Sequence, residues 1–115
     1  MWFVDDPEAG NWLDNLAGEP GDFEWDEGNR TKHLKHDVAP SDVEALFWRP
    51  IFFAGRIVEP WHEEVRWLLL GQDGSGRGLA LIFTRRGDRV RTISCRPVRR
   101  KERKLYEEAT GDPKE

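Results

Sequence analysis

The chain has 115 residues, enough for one domain, with 35% charged residues and a mean hydropathy of -0.76. Its longest apolar runs, such as Leu79–Phe83, span about a quarter of a membrane crossing, and the single Cys95 excludes an internal disulfide and a cysteine-rich zinc site. The net charge of -4 is unevenly spread: residues 1–28 hold nine acids and no Lys or Arg, whereas residues 83–106 hold ten Lys or Arg and two acids.

In chain order, residues 1–22 carry Gly, Pro, Asp and Glu around Trp2, Phe3, Trp12, Leu13 and Leu16, and read as an acidic, irregular or weakly helical arm open to flexibility. Phe23-Glu24-Trp25 alternates as a short strand does. Asp26 suits the N-cap of a helix from Glu27 to about His36. Asp37 to Pro40 breaks the chain. Ser41 with Glu44 three residues on forms a capping-box pattern for a second helix to about Trp48, which Pro50 ends. Strands are predicted at Ile51–Glu59, Val65–Gln72, Leu79–Arg85 and Arg89–Arg96, with turns at Asp73-Gly74-Ser75-Gly76 and Gly87-Asp88. Pro97 stops the last strand, and Arg99–Ala109 is a charged helix anchored by Leu105 and Tyr106. The sum is an α+β domain over 23–110 (strand, two helices, four-strand antiparallel meander, C-terminal helix), with a tail at 111–115. Helices on one face of the sheet would leave the other face free for a site.

The ten-cation block points to a polyanion partner, against the plainer reading of a charged helix facing water. A lone cysteine and the lack of a basic-then-apolar leader predict a cytoplasmic protein with no secretory signal and no membrane association.

Four stretches carry a family resemblance: Phe23-Glu24-Trp25-Asp26-Glu27-Gly28-Asn29; Lys35-His36-Asp37-Val38, similar to Lys-His-Gly-Val; Arg66-Trp67-Leu68-Leu69-Leu70-Gly71, similar to Arg-Tyr-Leu-Ala-Leu-Gly; and the run from Phe83 to Glu107. In that order and spacing the chain resembles the BrnT toxins of the RelE-like group. The resemblance implies a RelE-like fold and an endoribonuclease that cuts RNA, inhibits translation and arrests growth. It further implies neutralisation by a BrnA-like antitoxin with a ribbon-helix-helix part, and contact with operator DNA only through that antitoxin. Departures are His33 in a segment one residue short, Asp37 where Gly is usual, a short Trp61–Arg66 stretch with Val65 where an acid often stands, and the arm itself.

RNA cleavage without a metal or cofactor needs a base for the 2′-OH, an acid for the leaving 5′-oxygen and cations for the phosphorus oxygens. The catalytic candidates are Arg96, Arg91, His62, Glu64 and His36, with the general base open among His36, His62 and Glu64. The RNA-binding candidates are Arg66, Arg86, Arg99, Arg103 and Tyr106. In a regular strand Arg91 and Arg96 point to opposite faces. Arg96 could instead pair with Glu102 or Glu107, His36 could serve as a helix cap, His62 could be a plain loop residue, and Tyr106 could belong to the core. The three histidines lack the paired spacing of a zinc site. Two other readings stand beside the enzyme: a toxin-like module that binds antitoxin or nucleic acid without cutting, which the short His62 loop and Val65 favour, and a domain whose basic helix only docks an acidic antitoxin tail. The acidic arm could fold over the basic end and lie in the RNA path.

Overall fold

The computed structural model describes residues 1–30 and 36–111. One six-stranded sheet organises the chain. Its strands are β1 (Trp2–Val4), β2 (Phe23–Glu24), β3 (Phe52–Glu59), β4 (Arg66–Gln72), β5 (Gly78–Arg86) and β6 (Arg89–Pro97), in the order β1-β3-β4-β5-β6-β2. The predicted meander is β3 to β6, every neighbour antiparallel, with boundaries within a residue or so of the expected ones. The exception is β2, which runs parallel to β6 through Phe23↔Val90 and Glu24↔Arg91.

Leu68-Leu69-Leu70 in β4 and Leu79–Phe83 in β5 are continuous apolar runs, so successive side chains feed opposite faces and two cores. Leu69, Leu79, Leu81, Phe83, Val90 and Cys95 face one cluster with Leu13, Val38, Val43 and Leu46. Leu68, Leu70 and Ala80 face a second, with Tyr106, Phe3 and Leu105 beside them. Helices α1 (Pro7–Asp14) and α2 (Pro40–Leu46) therefore cover the first face, and α3 (Arg100–Thr110) lies on the second. The sequence suggested that the second face is free; instead α3 takes part of it.

Residues 1–22, read as an arm, contribute an edge strand and a helix. β1 pairs with β3, Asp6 caps α1 through the Ala9 amide, and Leu13 is 4% exposed in the core. Trp67 Nε1 donates to Asp6 Oδ2 at 2.8 Å, and the Arg85 guanidinium lies 4.5 Å over the Trp12 ring. Where β3 passes β1 it carries a bulge before Gly55, whose φ of +131° is open only to glycine and whose missing side chain makes room for the Val4 carbonyl. Gly55→Ala is expected to destabilise the chain by more than about 1 kcal/mol and to release β1. A melting curve checks the first effect and loss of amide-exchange protection at Phe3 and Val4 the second.

Two local expectations change. The predicted helix from Glu27 is a turn over 27–30, in which Asp26 Oδ1 accepts from the Gly28 and Asn29 amides. Its remainder, with His33 and Lys35, lies outside the described residues. The second helix starts two residues earlier than a Ser41 cap predicts and ends at Leu46. Pro40 takes the first helical position, and Asp42 accepts from the Ala39 amide at 2.9 Å. Asp37 holds φ +60°, the left-handed setting that a glycine favours there, while Arg77 donates to the Asp37 carbonyl at 2.9 Å. Among the described residues no helix is long and apolar enough to cross a membrane.

Candidate active site

The open part of the second sheet face is built by a bulge. Between β5 and β6 the register passes from Ile82↔Ser94 to Phe83↔Thr92, so Ile93 is an extra residue in β6. The alternation slips at that point. Val90, Thr92 and Cys95 lie towards the first core, opposite Arg85, Phe83 and Leu81. Arg96 pairs with Ala80 and Arg91 with Thr84, both on the second face. The two arginines therefore share a face, against the regular-strand expectation. Arg66 joins them from β4, next to Ile57 of β3, and Arg86 from the end of β5.

A cavity of about 180 Å³ opens on this face. His62 and Arg66 line it from the β3–β4 connection and the start of β4, Arg96 from β6, Arg99 from the turn into α3, and Met1 from the edge beside β1. His62 Nε2 lies 3.5 Å from an Arg66 terminal nitrogen. Arg66 Nε is buried without a hydrogen-bond partner. Such a donor gains by meeting an anion. Arg96 is held rigidly: its two terminal nitrogens donate to the two Glu102 oxygens at 2.8 Å each, and Glu102 Oε1 also accepts from the Arg99 amide at 2.8 Å. The carboxylate thus caps α3 and orients the guanidinium at once. The Glu102 hydrogen bonds raise the Arg96 pKa further against the opposing effect of burial. Burial pushes the Glu102 carboxyl up, but the Arg96 bonds, the Arg99 amide and the guanidinium charge outweigh it, and the net shift is downward. Both groups are charged at neutral pH.

The β3–β4 connection, β4, β6 and the turn into α3 thus bring three arginines and an imidazole together around one cavity. A family model for the ribonuclease toxin BrnT of type II toxin–antitoxin systems matches residues 25–102. The chain belongs to that family. No curated protein matches it. As a BrnT ribonuclease toxin it has RNA as substrate and a cognate antitoxin as partner.

The other candidates lie elsewhere in this BrnT chain. Arg91 is clamped by Asp26, at 2.8 and 3.3 Å, and by Glu24 at 3.4 Å. The Arg91 hydrogen bond leads the causes that hold the Asp26 carboxyl below its ordinary value. Arg86 holds Glu64 at 2.8 Å and Glu24 at 3.8 Å. These contacts fasten the short β2 and the β3–β4 connection to the end of the β5–β6 hairpin. The His36 carbonyl accepts from Arg77 at 3.3 Å, beside the Asp73 turn, at the opposite end of β4 from His62. Tyr106 is 8% exposed, and its hydroxyl donates to the Pro50 carbonyl at 2.8 Å, so its ring belongs to the core. Arg103 and Tyr106 line a separate cavity of about 150 Å³ near Gln72 and Gly78. Burial pushes the Cys95 thiol up to about 12, which leaves it no thiolate at neutral pH. Met1 was not singled out in the sequence, because nothing local ties residue 1 to a cleft formed around residues 62, 66, 96 and 99.

Proposed function

We propose that this chain is a metal-independent endoribonuclease that cuts RNA in the His62–Arg66–Arg96–Arg99 cleft, and so inhibits translation and growth. The reading rests above all on the convergence of those four side chains from the β3–β4 connection, β4, β6 and the turn into α3. In the reaction a base removes the 2′-OH proton, the 2′-oxygen attacks phosphorus, and the P–O5′ bond breaks as an acid protonates the 5′-oxygen. The products are a 2′,3′-cyclic phosphate and a free 5′-hydroxyl. His62 lines the cleft and is the group best placed for proton transfer. Glu64 is engaged by Arg86, and His36 lies at the other end of β4. Arg66, Arg96 and Arg99 hold the phosphate and stabilise the charge that grows on its oxygens.

The partner we assign is a BrnA-like ribbon-helix-helix antitoxin, with operator DNA contacted only through it, in the cytoplasm. Purified chain on end-labelled RNA tests the activity. Cleavage should proceed at the same rate with excess chelator and leave cyclic-phosphate ends. Loss of cleavage on chelation would refute the metal-free mechanism, and intact RNA in both arms would refute catalysis.

A further inference from the structure

A second cavity, of about 510 Å³, adjoins the cleft and shares Met1 and Arg99 with it. Its apolar wall is Met1, Phe3 and Leu105, and its rim carries Arg100 and Lys101. Arg86, Arg91 and Arg96 are each bound to carboxylates. Among the described residues no ion pair joins Arg66, Arg99, Arg100 or Lys101, and all four line one or both of the adjoining cavities. Four cations without an ion pair thus lie around the adjoining cavities, two of them beside the apolar wall on the rim of the second. Apolar surface under unpaired cations fits an unstacked base and the phosphate beside it, the usual elements of single-stranded RNA recognition.

We infer that the groove between β1 and α3 is a second nucleotide subsite, which takes a base on Met1, Phe3 and Leu105 and its phosphate on Arg100 and Lys101. It rests on the cleavage reading of the neighbouring cleft and extends it by one flanking, unpaired nucleotide. The apolar wall of Met1, Phe3 and Leu105 lies outside the family match over residues 25–102, whereas Arg100 and Lys101 lie within it.

The test uses the full chain and unstructured RNA of two lengths, a short core around the cut and the same core extended at either end in turn. Ordinary RNA reports cleavage, and 2′-O-methyl RNA, which cannot be cut, reports binding by fluorescence anisotropy. One extension should tighten binding about tenfold, the scale of a stacked base. The Arg100→Gln/Lys101→Gln variant should remove that gain and leave affinity for the short core within about twofold, since both positions lie outside the cleft lining. Both residues are exposed, so the variant should fold. A gain that survives in the variant, or an equal weakening for both lengths, would overturn the subsite. RNA that is cut with no gain on extension removes the subsite alone. A gain that the variant abolishes, with no RNA cut, upholds the subsite and removes the cleavage reading.

Discussion

Replacing Arg66 by alanine is expected to slow RNA cleavage by about 10²- to 10³-fold and to move the melting temperature little. Both halves follow from how Arg66 is held. Its Nε is buried without a partner, and a terminal nitrogen meets His62 Nε2 at 3.5 Å. No carboxylate loses its counter-charge when the side chain is cut back, so the stability change should stay within about 0.5 kcal/mol, the range of uncoupled surface changes. The phosphate, by contrast, loses a donor at the point where negative charge grows. Arg66→Lys keeps the charge without the planar fork and should recover only part of the rate. Single-turnover cleavage and a melting curve on the same preparation measure the two effects. Cleavage by Arg66→Ala within about threefold of the parent would show that Arg66 is not part of the chemistry.

Glu102→Ala should instead cost stability, about 3 kcal/mol. The change strips a guanidinium that is 13% exposed of its partner and leaves the Arg99 amide uncapped at the start of α3. Arg96→Ala should be costly for the mirrored reason, because it leaves the carboxylate, 11% exposed, without its cation. Removing both together should cost less than the two single losses added. The pair also sets an acid limit. The folded-state pKa of Glu102 is lowered from its ordinary 4.5, so its contribution is fully present above that value. It fades as pH falls from there through the lower folded-state value. Urea melts of the parent and of the double variant, run from neutral to about pH 3, should converge at the acid end. Parallel pH curves for the two proteins would show that this ion pair does not set the acid limit.

The strands, the meander and α3 were legible because β-branched and aromatic runs, turn residues and a charged helix leave local marks. The rest required long-range pairing. Trp2–Val4 is too short to announce a strand, and it becomes one by pairing with residues 56–59. The Ser41 side chain suits a helix cap. Pro40, whose fixed backbone favours the first helical position, moved the start and passed the reciprocal contact to Asp42. The candidate residues His62, Arg66, Arg96 and Arg99 could each be picked by chemistry, but their meeting depends on sheet register, as does the separation of Tyr106 and Arg103 from them. Arg86 and Arg91 resembled site cations in the sequence only because their partners, Glu64 and Asp26, lie 22 and 65 residues away.

The bulge at Ile93 makes the arginine pattern of β6 a matter of parity. Five steps separate Arg91 from Arg96, an odd count that would normally set them back to back; the extra residue absorbs one step and turns the count even in space. A relative lacking that residue would need the two arginines four apart to keep them abreast, and one with the same spacing but no insertion would aim one of them away from the second sheet face. Relatives of this chain are therefore best compared by where the backbone gains or loses a residue, because the same letters at the same intervals can describe two different surfaces.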